Sequence, residues 1–396
     1  MMRLAIGAYT ATSAAGVGLQ ALRDSIDNRQ SGLRRNDLQN CDIDTWIGRV
    51  DGVEDVSLPS HLDHLFSRNN QLAWFGLQQD GLLQSIAQLA DRVGPDRVGV
   101  IMGTSTSSIG RTEEAFTCLL PSGQIAEEFQ QQEVHSLHSP GFFVAEATGL
   151  TGPAITISTA CSSSAKVFAS AYRWINHGLV DAVLVGGVDS LCMSILYGFH
   201  SLELVSPELC RPFDRRRNGI NIGEGCGYAL VAREDLLPDA QFALLGYGES
   251  VDAYHMSHPH PKGEGAVIAI DRALERSKLT ADSIDYVNLH GTASQANDRT
   301  EAHALARRFT DKTLVSSTKA WTGHALGAAG ILEAIITLEA MRSGINPGTL
   351  NCGQPDPELA FPVLTDNVSQ PVRFGMTNSF GFGGNNASLI FGQMND

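Results

Sequence analysis

The sequence predicts an α/β layered fold made of two fused halves that share one core. Three observations point there. Short β-rich runs ending in glycine or small residues alternate with helical patterns. A strand, a small-residue helix and a further strand occur around residues 155–188 and again around 314–391. No low-complexity linker separates the two occurrences, so the 396 residues read as two halves rather than two tethered domains. The change of half is placed near Pro238, giving an N-terminal half at 1–238 and a C-terminal half at 239–396.

Taken in order, residues 4–19 predict a buried first strand and a Gly-rich turn. Tyr9, Thr10, Thr12 and Ser13 interrupt the apolar run, so neither a signal peptide nor a membrane span is expected. A helix is predicted over 70–90, a strand over 97–103, a strand over 154–159 and a helix over 166–176. Strands at 182–187 and 227–231 close the first half. The second half continues with a strand at 242–247, a helix at 266–276, a strand at 284–289, a helix at 330–341 and a strand at 373–379.

Composition narrows the function classes. Hydrophobic residues make up 43% and charged residues 18%, which suits a globular enzyme and not a disordered chain. A net charge of −15 disfavours phosphate backbones, which need a concentrated basic face, so no nucleic-acid partner is expected. The dense cationic run Arg215-Arg216-Arg217 is the candidate docking patch for an acidic partner. Seven cysteines, without paired zinc or redox spacing, read as free thiols in a reducing cytoplasm.

Ile155-Thr-Ile-Ser-Thr-Ala-Cys161-Ser-Ser-Ser-Ala165 reads as a β-run, a tight turn and a helix start, which sets Cys161 at a helix N-terminus. Free backbone N–H groups and the positive dipole end there are expected to lower the thiol pKa from about 8.5 into a range of roughly 3.5 to 7.5. The same N–H groups suit a developing oxyanion, one good donor being worth ~10² to 10³ in rate. Cysteine is also a common small buried apolar residue. On this local pattern alone, catalysis and packing both stand.

Thr159-Ala-Cys161-Ser-Ser-Ser164 resembles the active-site elbow of the β-ketoacyl-acyl carrier protein synthases, ketosynthases of the thiolase-like superfamily. Three further stretches follow in that family's order. His290-Gly-Thr-Ala-Ser294 with Asn297, Asp298 and Glu301 resembles the first histidine motif, and Ser317-Thr-Lys319 through Gly323-His324 to Gly330 resembles the second. Asn378-Ser-Phe-Gly-Phe382-Gly-Gly384-Asn385 resembles the C-terminal Gly-rich gate loop. With Arg211-Pro-Phe-Asp214 and Gly223-Glu-Gly225, the resemblance spans essentially the whole chain.

The resemblance implies a thiolase-like fold, two duplicated α/β halves in a layered α-β-α-β-α core. It implies a decarboxylative Claisen condensation in fatty acid, polyketide or polyene biosynthesis, with Cys161 holding the acyl group and malonyl carrier losing CO2. Such a site needs two hydrogen-bond donors on the malonyl thioester oxygen rather than a strong acid, a task that neutral His290 and His324 suit. By the resemblance Lys319 orients or tunes the site, with Asp298 and Glu301 supporting the lysine and the active-site architecture. Phe382 supplies a second oxyanion N–H and gates the cysteine, while Gly383 permits the loop to move. Thr292, Ser294 and Asn385 fall at substrate-contacting positions. Thr106 falls where related enzymes limit the acyl pocket across a dimer interface; a turn hydroxyl satisfying backbone groups is the competing account.

The partners implied are an acyl carrier protein and a second subunit, in a homodimer or a heterodimer with a chain-length-factor-like protein. No cofactor and no metal are expected: His255, His258 and His260 lack a carboxylate or cysteine partner in register, and Gly103-Thr-Ser-Thr-Ser-Ser108 lacks the P-loop lysine. A coenzyme A-dependent thiolase reading is disfavoured by the two-histidine set, and a non-catalytic chain-length subunit by Cys161 itself. Ala293, Ser294 and Asn385 depart from the fatty acid enzymes, and the chain looks closer to specialised ketosynthases such as the aryl polyene type.

Overall fold

The computed structural model describes residues 1–394. Ten strands form the path of the main sheet: β1 (Leu4–Ser13), β2 (Val98–Gly103), β3 (Ala154–Ile157), β4 (Ala182–Asp189), β5 (Gly225–Ala232), β6 (Phe242–Val251), β7 (Tyr286–Asn288), β8 (Leu314–Ser316), β9 (Phe374–Phe380) and β10 (Asn385–Gln393). Their spatial order is β8-β7-β9-β10-β6-β1-β5-β4-β2-β3. That order carries the duplication. From one edge, β3-β2-β4-β5-β1 has the pairing pattern that β8-β7-β9-β10-β6 has from the other: two parallel pairings and then two antiparallel ones. The two series meet where β1 pairs antiparallel with β6.

Apolar runs such as β2, β4 and β5 are buried along their whole length, as strands covered on both faces must be. The cover comes from α1 (Arg68–Leu77), α2 (Leu82–Val93), α3 (Ser139–Thr148), α4 (Ser163–Asn176), α5 (Met193–Ser201), α6 (Glu264–Ser277), α7 (Gln295–Ala306) and α8 (Ala329–Ser343). Helices α4 and α8 pack on each other and on strands of both series, forming a central layer. Outside it, α1, α2 and α3 close one sheet face, and α6 with α7 closes the other. Three of the apolar clusters follow this layering, one around α4 and α8 and one beneath each outer layer. The fold is thiolase-like, in five layers.

The single helix predicted over 70–90 is two. Asp80 (φ 53°) and Gly81 (φ 71°) take left-handed conformations between α1 and α2. The break serves packing: the Asp80 carboxylate accepts the Thr10 hydroxyl at 2.6 Å and the Leu19 N–H at 3.0 Å, tying the bend to β1 and the chain after it. Small residues seat the central helix. A Cβ on Gly103 would stand 2.4 Å from the Ser164 nitrogen, and one on Gly330 2.6 Å from that of Ala165. The first turn of α4 therefore lies directly on β2 and on α8. Among the described residues no helix is long and apolar enough to cross a membrane.

Candidate active site

The turn between β3 and α4 holds Cys161 in a strained elbow. Ala160 has φ 52°, an unusual conformation for a residue with a Cβ. Serines pin it: Ser163 Oγ donates to the Ala160 carbonyl at 2.5 Å and accepts the Thr159 N–H at 2.9 Å, while Ser162 Oγ donates to the Thr159 carbonyl at 2.9 Å. Ser164 Oγ accepts the Ile331 N–H at 2.9 Å, fastening α4 to α8. The expected lowering of the thiol pKa is not what the surroundings produce. Burial pushes the Cys161 thiol up to about 11, outweighing the Lys319 charge and the Phe382 N–H that pull it down.

His290 follows β7 and His324 precedes α8. The two rings stand edge to face, centroids 5.4 Å apart at 86°. Cys161 Sγ and one nitrogen from each ring lie within 4.8 Å of one another. Each imidazole has its Nδ1 engaged. His324 Nδ1 accepts the Leu326 N–H at 3.1 Å, and His290 Nδ1 faces the Lys319 ammonium at 3.3 Å. An Nδ1 that accepts leaves the proton on Nε2, so both rings are Nε2–H donors. Burial and the Lys319 charge hold both imidazoles well below the usual histidine range, and hence neutral; His324 adds to the effect on His290. A sulfur and two ring nitrogens are donors that a transition metal accepts, but the adjacent ammonium and the protonated thiol oppose a dication here.

Lys319 is buried, and its Nζ also donates to the His290 carbonyl at 2.5 Å. Its carboxylate partner is Glu333 on α8. Of the expectation that Asp298 and Glu301 support the lysine and the active-site architecture, the first part is corrected: neither pairs with Lys319, and both accept backbone N–H groups instead. Glu301 accepts the N–H groups of His290 at 2.9 Å and Gly291 at 2.8 Å, and burial pushes its carboxyl up to about 7. Asp298 accepts from Phe213 N at 2.8 Å and Ala293 N at 3.2 Å. These acids fix the histidine loop rather than the lysine. Glu333 was missed, although an acid inside a helix that is otherwise small and apolar signals a buried partner.

Phe382 lies in the loop Gly381–Gly384, its ring 5.4 Å from that of Phe199 on α5. Gly383 (φ 74°) and Gly384 (φ 73°) are left-handed, and Gly383 N–H donates to the Met256 carbonyl at 2.7 Å. This loop, with Leu202, Leu204, His258, Thr292 and Ser294, lines a cleft that reaches Cys161, His290 and His324. Two predicted contacts fall outside its lining. Asn385 turns its amide to Lys166 at 3.1 Å, and Asn386 stands in the wall instead. Thr106 gives its hydroxyl (2.7 Å) and N–H (2.9 Å) to the buried Asp189. The arginine run is also divided: Arg215 and Arg216 are exposed, but Arg217 is buried against Asp356 at 2.6 Å.

Residues 3–236 match the β-ketoacyl synthase N-terminal domain family, and residues 242–353 match its C-terminal domain family. The chain is similar to a mitochondrial 3-oxoacyl-[acyl-carrier-protein] synthase of Arabidopsis thaliana, 38% identical over 75% of this chain and 68% of that protein. It is 34% identical to nodulation protein E of Rhizobium meliloti, over 75% and 76% of the two chains. Among solved structures it is similar to a ketosynthase (ApeO) of Xenorhabdus doucetiae in complex with its chain length factor (ApeC), with 35% identity, a TM-score of 0.88 and 99% and 98% of the chains covered.

Proposed function

The chain belongs to the β-ketoacyl synthase family and is a condensing acyltransferase; from that premise we propose how its residues share the reaction. Cys161 takes the acyl group from the thioester of an acyl carrier protein, forming a Cys161 thioester and releasing the carrier thiol. Malonyl carrier then binds with its thioester oxygen between the Nε2–H groups of His290 and His324. Loss of CO2 leaves an enolate whose oxygen those two donors hold without delivering a proton, because both rings are neutral. The enolate carbon attacks the Cys161 thioester carbonyl, and the tetrahedral oxyanion meets the N–H groups of Phe382 and Cys161. Collapse expels the Cys161 thiolate, which takes a proton from water to restore the thiol, and releases β-ketoacyl carrier.

The observation that carries this reading is the shared state of the two imidazoles, each with Nδ1 engaged and each beside the Cys161 sulfur. Because burial raises the thiol and the one lone pair of each imidazole is already engaged at Nδ1, the Cys161 proton passes to the departing carrier thiolate, which leaves as the carrier thiol. Thr292 and Ser294, in the wall, are suited to hydrogen-bond the phosphopantetheine arm. We assign residues 1–238 to the half that carries the nucleophile and 239–396 to the half that carries the histidines and the gate loop.

The second subunit is proposed to be another copy or a chain-length-factor-like protein. The likeness to a ketosynthase solved with its chain length factor supports the latter, as catalytic half of a heterodimer in a specialised pathway of aryl polyene type. The reaction is proposed to take place in the cytoplasm. The test is intact-mass spectrometry of the protein incubated with acyl carriers and malonyl carrier. Acyl adducts on Cys161, absent from Cys161→Ala, and β-ketoacyl carrier as product are the expected result; condensation by Cys161→Ala would overturn the assignment.

A further inference from the structure

Lys166 is a buried cation with no carboxylate of its own. It lies in the first turns of α4, five residues beyond Cys161, and is 9% exposed. Among the described residues its Nζ makes one hydrogen bond, to Asn385 Oδ1 at 3.1 Å, and no ion pair. The acid that acts on it, Glu249 on β6, is paired with Arg173 at 2.8 Å. Burial and Arg173 pull the ammonium below the usual lysine range, with Glu249 opposing. A buried amine held by one neutral acceptor is a costly arrangement for packing alone.

Its acceptor explains the placement. Asn385 opens β10 and closes the gate loop, its main-chain oxygen accepting the Gly381 N–H at 2.8 Å. Phe382, whose N–H acts on Cys161, lies between these two residues. The Lys166–Asn385 bond therefore runs from the helix whose start carries the nucleophile to the foot of the loop that carries the opposing donor. Two glycines with φ above +70° leave that loop little stiffness of its own.

We propose that Lys166 is a positioning residue of the condensation: by holding Asn385 it fixes the gate loop against α4 and sets where the Phe382 N–H stands over Cys161. The inference rests on the ketosynthase reading of the site. Acyl transfer and carbon–carbon bond formation, which use that N–H, depend on Lys166, whereas malonyl decarboxylation at His290 and His324 does not.

The test compares the wild type with Lys166→Met, which keeps length and apolar burial, with Asn385→Ala, and with the double variant. Acylation of Cys161 from an octanoyl carrier is timed by intact mass. Malonyl-carrier decarboxylation is timed in a Cys161→Gln background. Each single variant is expected to slow acylation on the order of tenfold and the double no further, with decarboxylation changed by less than about twofold. Equal rates for Lys166→Met and wild type, or losses that multiply in the double, would overturn the inference. Amide hydrogen exchange of residues 381–385 supplies a readout that does not depend on the reaction: it is expected to quicken in Lys166→Met, and unchanged exchange would also overturn the positioning role. A wild type that takes no acyl group, with exchange still quickened in Lys166→Met, would instead remove the ketosynthase reading and leave the loop anchor standing.

Discussion

Leu326 donates its backbone N–H to Nδ1 of His324 at 3.1 Å, so the tautomer of a cleft imidazole is set by the chain two residues beyond it. Lys319 does the same for His290 from the side-chain direction. With both rings held neutral well below 6.5, malonyl decarboxylation should be flat between about pH 6 and 8. His290→Ala and His324→Ala should each slow it on the order of 10² to 10³. A titration near 6.5 in the decarboxylation profile would show that an imidazole changes charge in use. Linkage has a sign here: the unfolded chain protonates near 6.5 and the folded chain does not, so the stability from these rings is present above that pH and lost as pH falls through it.

The raised thiol makes a separate prediction. With the Cys161 pKa pushed to about 11, alkylation by iodoacetamide should be slow at neutral pH and climb about tenfold per pH unit from 7 to 9. Peptide mass spectrometry of the adduct on Cys161 measures it. A plateau already reached by about pH 8 would mean that the helix terminus outweighs burial after all.

What could be read in the sequence follows from how far each force reaches. The runs that became β2, β4 and β9 were legible because burial on both faces leaves a local apolar signature. Cys161, His290, His324 and Phe382 were legible through short motifs, and the structure brings their segments to one cleft. The partner of Lys319 was not, because Glu333 lies on α8, and only the packing of that helix beside the histidine loop sets the two together. Arg217 read like its neighbours, since nothing local distinguishes an exposed arginine from one folded inward onto Asp356. The turn at Asp80 was hidden inside a helical period, its cause being a contact with Thr10, 70 residues away.

The Lys319–Glu333 pair can be broken and then removed. Glu333→Ala leaves an uncompensated buried ammonium and should cost about 3 to 5 kcal/mol, read as a shift in denaturant midpoint. Lys319→Met with Glu333→Leu should recover most of that stability without recovering condensation, since nothing then faces His290 Nδ1. A stable and active double variant would reduce the pair to packing.

The division of the arginine run separates docking from folding. Charge reversal at the exposed Arg215 and Arg216 should raise KM for carrier-bound substrates at low salt and spare small model thioesters. Arg217→Ala should act on stability instead, by about 3 to 5 kcal/mol, because it leaves Asp356 and the buried Asp298 without their cation. If KM at low salt stays unchanged on reversal of Arg215 and Arg216, the carrier docks elsewhere.

Thr106 offers the last test, and its geometry decides which substitution is informative. Its hydroxyl and N–H both bind Asp189, which also receives Thr104 Oγ1 at 2.5 Å and the Gly327 N–H at 2.6 Å. Asp189 thus joins the loop after β2 to the turn that follows His324. Thr106→Val keeps the shape and removes one donor, so it should cost about 1 to 3 kcal/mol and leave the acyl lengths found on Cys161 unchanged. Thr106→Phe adds bulk at a packed position, at roughly 1 to 3 kcal/mol more, and should lower condensation of every chain length together by disturbing the His324 turn. Acyl-enzyme mass spectra across a series of primers discriminate the outcomes: selective loss of the longest acyl groups in Thr106→Phe would put this residue at the end of the acyl pocket, and a uniform loss would keep it in the Asp189 anchor.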